Sequence, residues 1–134
     1  MSFDLFVQCF RNGERATFPR SVFEGIFGRH AISPEFPMQN VKYPDGSGGE
    51  IYGGENDEID GLMFTHFGGD MIFAAIYELA HKTGSVIYWP DTIPSVAVTE
   101  PETIAHLPDG FDKIGPPHLV QDYRALMDYI ARQE

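Results

Sequence analysis

Alternation of apolar and polar residues organises the start of the chain. Over Phe3–Phe10, Phe3, Leu5, Val7 and Cys9 fall on one side of an extended segment, and Asp4, Phe6, Gln8 and Phe10 on the other. Because Phe6 and Phe10 make the second side partly apolar as well, the segment predicts a strand covered on both faces, near the middle of a sheet. Past the Asn12-Gly13 turn the period lengthens. Val22 with Ile26 and Phe23 with Phe27 are i,i+4 apolar pairs, so a short helix is predicted from Pro19, suited to a first helical turn, to Gly28, suited to a helix end.

Arg29–Asn40 has no period, contains Pro34 and Pro37, and reads as a loop. Val41–Tyr43 and Glu50–Tyr52 flank a glycine-rich turn from Pro44 to Gly49 and predict a hairpin, while Gly61–Phe67 reads as an apolar and aromatic strand. Asp70 is placed to cap a helix that runs to about Thr83, with Ile72, Ala75, Ile76, Leu79 and Ala80 inward and Gly84 as its stop. Ser85–Trp89 and Ser95–Val98 read as strands. Thr99 with Glu102 has capping-box spacing for a short helix to about His106. A last helix is predicted from about Leu119 to Arg132, with Leu119, Val120, Tyr123, Met127 and Ile130 on one stripe.

No repeat or linker interrupts the chain, which predicts one domain over residues 1–134. The order of elements predicts an α+β two-layer sandwich with a mainly antiparallel sheet and helices on one face. It is the βαββαβ, ferredoxin-like order, followed by an extra strand and helices.

Composition narrows the function classes. With 134 residues, 43% of them apolar and 13% aromatic, the chain can build a real core and is unlike a disordered one. A single cysteine, Cys9, leaves no internal disulfide and fits a reducing compartment. The opening MSFDLFVQCFRNGE lacks a basic segment followed by an apolar one, and no apolar run is long enough to span a bilayer, so a cytoplasmic protein without a membrane partner is expected. A net charge of −11 disfavours nucleic acid and anionic lipid.

The placement of that charge is more telling than its sum. Tyr43–Asp112 holds thirteen of the twenty acids and one base, Lys82, and Glu50–Asp60 alone holds five acids and no base. A clustered field steers association. The candidate partner-binding set is therefore Asp45, Glu50, Tyr52, Glu55, Asp57, Glu58, Asp60, Trp89 and Asp91: carboxylates bordered by aromatic residues, the make-up of a docking surface for a basic protein.

Competing chemistries each fail at a residue. An EF-hand loop starting at Asn56 would place Phe67 where a bidentate glutamate is required. Gly68-Gly69 precedes Asp70, whose charge repels a phosphate, and no Gly-Lys-Ser/Thr follows. Cys9 and His66 could meet on neighbouring strands, but Cys9 shares its side with Phe3, Leu5 and Val7, where a buried thiol is inert. The histidines lack zinc-ligand spacing. No cofactor, metal or catalytic residue is assigned, and a binding module is favoured over an enzyme. The alternative is a small-molecule-binding or enzymatic domain with an apolar pocket between helices and sheet, lined by Phe6, Phe10, Phe64 and Trp89. An exposed strand edge leaves self-association open.

The segments MSFDLFVQCFRNGE, FPRSVFEGIFG, YPDGSGGEIY and SVIYWP resemble a group of small uncharacterised bacterial proteins. In size, acidity and lack of catalytic residues the chain is similar to immunity proteins of polymorphic toxin systems. That resemblance implies neutralisation of a basic toxin, for example a nuclease whose cationic groove is covered by carboxylates, and transfers no individual binding residue.

Overall fold

A computed structural model describes residues 4–33, 38–89, 95–113 and 116–133. Eight strands form one sheet: β1 (Leu5–Gln8), β2 (Ala31–Ser33), β3 (Met38–Lys42), β4 (Gly48–Tyr52), β5 (Gly61–Gly68), β6 (Val86–Trp89), β7 (Ser95–Val98) and β8 (Pro117–Leu119). Their order is β8-β7-β6-β1-β5-β4-β3-β2, antiparallel throughout except for the parallel β7–β8 pair. Four α-helices accompany it among the described residues: α1 (Arg20–Phe27), α2 (Asp70–Thr83), α3 (Pro101–Ala105) and α4 (Tyr123–Gln133). The fold is α+β, as the order of predicted elements implied. Its middle strands β6-β1-β5-β4, with α1 and α2, keep the βαββαβ connectivity, and the β2–β3 hairpin extends the β4 edge.

Strand alternation divides the sheet into two unlike faces. On one, Leu5, Val7, Phe64 and Ile87 are fully buried, joined by Ile51, Leu62, Trp89 and Ala97 in the main core. α2 lies over this face against β4 and β5, with α1 and α4 on either side of it. The i,i+4 logic of α1 holds, since Phe23 and Phe27 are buried with ring centroids 5.4 Å apart. On the other face Val86, Val96 and Val98 form a smaller cluster with Phe111, roofed by Phe10, Tyr88 and Leu107. That second cluster covers only the β6–β7 end.

Several local expectations are corrected. The segment read as a loop after Arg29 contains β2 and the first half of β3. Asp70 is the first residue of α2 rather than its cap. The N-cap is Gly69, and Asp45 of the β3–β4 turn accepts the Met71 N–H through Oδ2 at 3.2 Å. The turn packs so tightly there that a Cβ on Gly69, whose φ is +104°, would run into Ser47. α3 takes Glu100, not Thr99, as its N-cap, and no side chain caps it. Leu119 ends β8 and is exposed, so the last helix begins at Tyr123, where Asp122 Oδ1 accepts the Ala125 N–H at 2.8 Å.

Candidate functional site

The predicted acidic set does not form one patch. Asp45 lies at one end of β5, beside α2, and Asp60 at the other, one residue before Gly61. An eight-residue strand rising about 3.3 Å per residue keeps those ends roughly 23 Å apart. Asp45 is absorbed by its own turn: it accepts the Ser47 hydroxyl at 2.6 Å and the Ser47 N–H at 2.9 Å, which holds its carboxyl below the usual range.

The acidic peak at 55–60 is stitched to the basic start of the chain. Arg15 pairs with Asp60 at 3.4 Å, and Arg20 pairs with Asp57 at 3.3 Å while donating to the Glu55 carbonyl at 2.8 Å. The Thr17 hydroxyl donates to Glu58 at 3.1 Å, and Phe18–Pro19 ladders with Glu58–Ile59. The charge asymmetry of the sequence is thus partly cancelled within the fold: its bases and acids are cross-linked to each other. Asp91 lies outside the described residues. Trp89 is only 2% exposed and meets Tyr129 edge-on at 5.5 Å, so it belongs to the core and not to a partner surface.

Glu50 and Tyr52 have a different setting, on the face of the sheet that α1, α2 and α4 leave open. Register pairs Tyr52 with Met63, Met63 with Phe6, and Phe6 with Tyr88, so four side chains line up across four neighbouring strands. All four are half-buried. Phe6 stacks on Tyr88 at 5.2 Å, and the Tyr88 hydroxyl donates to Gln8 at 3.0 Å. This row forms the floor of an open groove of about 360 Å³, with Arg15 and Asp60 at its side.

The chain matches no family model, no curated protein and no solved structure. The face must therefore be judged on its own residues.

Beyond Tyr52 the open face turns polar. Asn40, Lys42, Glu50 and His66 line a second groove of about 390 Å³ beside the glycine-rich turn. His66 sits in a β-bulge with φ +47°, a left-handed conformation costly for a residue with a Cβ, and its Nδ1 is 2.7 Å from Glu50. A carboxylate only accepts, so Nδ1 carries the proton, and the Thr65 hydroxyl donates to the same Glu50 oxygen at 2.9 Å. The hydrogen bond and charge of Glu50 raise the His66 pKa, and the hydrogen bonds from His66 and Thr65 lower that of Glu50.

Two catalytic routes weighed from the sequence are not assembled. The Cys9 N–H donates to the Asp60 carbonyl, which places Cys9 about six residues, or roughly 20 Å, along β5 from His66. The Cys9 thiol is buried and donates to the Thr83 carbonyl at 3.6 Å, and burial pushes its pKa up. The apolar pocket assigned to Phe6, Phe10, Phe64 and Trp89 is likewise divided by the sheet, with Phe64 and Trp89 in the main core and Phe6 and Phe10 on the opposite face. Among the described residues no group of three His, Cys, Asp or Glu is disposed to hold a metal ion, and no helix is long and apolar enough to cross a membrane.

Sequence reasoning missed Met63, Arg15 and His66 as members of this face, and placed Phe6 in a pocket between helices and sheet instead. A signal for Phe6 and Met63 existed: each occupies the less buried side of a strand whose other side is apolar.

Proposed function

We propose that the chain is a non-catalytic protein-binding module that docks a basic partner on the open face of its sheet. The observation that carries this reading is the row Tyr52–Met63–Phe6–Tyr88, uncovered by α1, α2 or α4 and set between Glu50 and Asp60. Aromatic and methionine side chains are enriched at the cores of protein interfaces, and here they are held on strands, so little ordering is needed on binding. The net charge of −11 steers a basic partner toward the molecule over distances set by ionic strength. A toxin with a cationic groove, the partner implied by the resemblance to immunity proteins, has the required chemistry.

The test screens the products of neighbouring genes for a basic protein that associates with the chain, and measures that association with Phe6→Ala combined with Met63→Ala. The double variant should weaken binding at least tenfold, about 1.4 kcal/mol, chiefly through faster dissociation. Rising salt should slow association with the unmodified chain. Unchanged affinity in the double variant, or no association at all, would sink the proposal.

A further inference from the structure

On the other side of the molecule, α1 and α2 leave a crevice of about 200 Å³ lined by Ile26, His30, Tyr43, Met71, Ala74, Ala75 and Glu78. It is separate from the docking face. Tyr43 follows β3 directly and is 5% exposed; among the described residues its hydroxyl has no hydrogen-bond partner. Buried hydroxyls are nearly always satisfied, so this one, closed off from solvent behind the crevice wall, is left for a group that enters when the wall yields. His30 stacks on the Tyr43 ring at 4.2 Å.

The surroundings define what that group can be. Burial, together with the negative charge of Glu78 and Asp45, pushes the Tyr43 pKa up to about 12, so the phenol stays protonated and the field at it is negative. An anion is rejected there. The walls at Ile26, Ala74 and Ala75 are apolar, and Met71, unbranched and 39% exposed, is the wall able to yield to an incoming chain. At the rim, Glu78 already holds Lys82 at 2.9 Å, which shows that this carboxylate can be engaged by an alkylammonium group.

We propose that this crevice binds a small primary alkylammonium ion, with its alkyl stem along Ile26, Met71 and the two alanines. Its ammonium donates to the Tyr43 phenol oxygen and to Glu78, displacing Lys82. The same chemistry is presented by a free amine and by a lysine side chain of a polypeptide.

n-Butylammonium titrated into the whole protein, followed by NMR shifts of Ala74, Ala75 and Met71, tests the pocket directly. Saturable shifts in the millimolar range are expected for so small a ligand, and butyrate, of equal reach and opposite charge, should produce none. Tyr43→Phe, which removes a hydroxyl without a partner and so leaves the fold intact, should weaken binding at least threefold. Glu78→Gln should do the same, whereas Lys82→Gln, which frees Glu78, should tighten it. Binding of Nα-acetyl-lysine methylamide as tight as that of butylammonium points to a polypeptide source, and weaker binding to a free amine. The proposal is overturned by the absence of saturable shifts, by equal effects of butyrate, or by undiminished affinity in Tyr43→Phe. These outcomes leave the docking face unaffected, because no residue is shared.

Discussion

The two faces of the sheet are built from the same strands and have opposite fates. Leu5, Val7 and Phe64 point toward α1, α2 and α4 and lose all contact with water, while Phe6 and Met63, one residue away along the same strands, remain half-buried on the open side. The first set belongs to the main core of the fold. The second is a half-buried apolar row, and on the proposed reading it serves recognition. The acidic loop at 53–60 teaches the converse: it is the most charged part of the chain, yet it is tied down by Arg15, Thr17 and Arg20.

The sharpest break between the faces should appear in stability. Phe64→Ala, which empties space in the main core, is expected to cost about 3–5 kcal/mol in denaturant unfolding. Phe6→Ala, on the open side, should cost only about 1 kcal/mol. Equal losses would mean that the open face is a second core. Next in size is the tether on the acidic loop. Arg20→Ala removes ion pairs to Glu24 and Asp57 and the bond to the Glu55 carbonyl, and should lower stability by about 1 kcal/mol or less, the range of exposed pairs. It should also accelerate hydrogen exchange in the loop, and unchanged exchange would show that the loop needs no such clamp.

The smallest effect concerns the Glu50–His66 pair and is read as a direction. The His66 pKa is raised on folding, so its contribution is fully present below the ordinary value of 6.5 and is lost as pH rises through the folded value. The Glu50 pKa is lowered, so its contribution is present above the ordinary 4.5 and is lost as pH falls through the folded value. The pair therefore stabilises most between those two ordinary values. Unfolding midpoints of wild type and Glu50→Gln should differ most at pH 5–6, the difference should shrink as pH rises through the folded value of His66, and a difference independent of pH would exclude the pair as its cause.

Much of the fold was legible because its signals are local. Two-residue alternation marked β1, the i,i+4 phenylalanines marked α1, and Gly84, left-handed at φ +65°, ends α2 as its identity implied. What escaped depends on contacts distant in sequence. Asp45 caps α2 from 26 residues away, and Asp122 takes the capping place that a periodic stripe beginning at Leu119 had hidden. The acidic cluster was legible as composition but not as a surface, because sequence does not show that Arg15 and Arg20 fold onto it. The open face needed register: only the pairing of β4, β5, β1 and β6 aligns Tyr52, Met63, Phe6 and Tyr88.

The most direct comparison sets Phe6→Ala with Met63→Ala against Asp57→Asn with Asp60→Asn, measuring the affinity of each double variant for a basic neighbouring-gene product that binds the unmodified chain. A docking role for the open face predicts at least a tenfold loss in the first and less than a twofold loss in the second. The reverse order would contradict it and return recognition to the acidic loop.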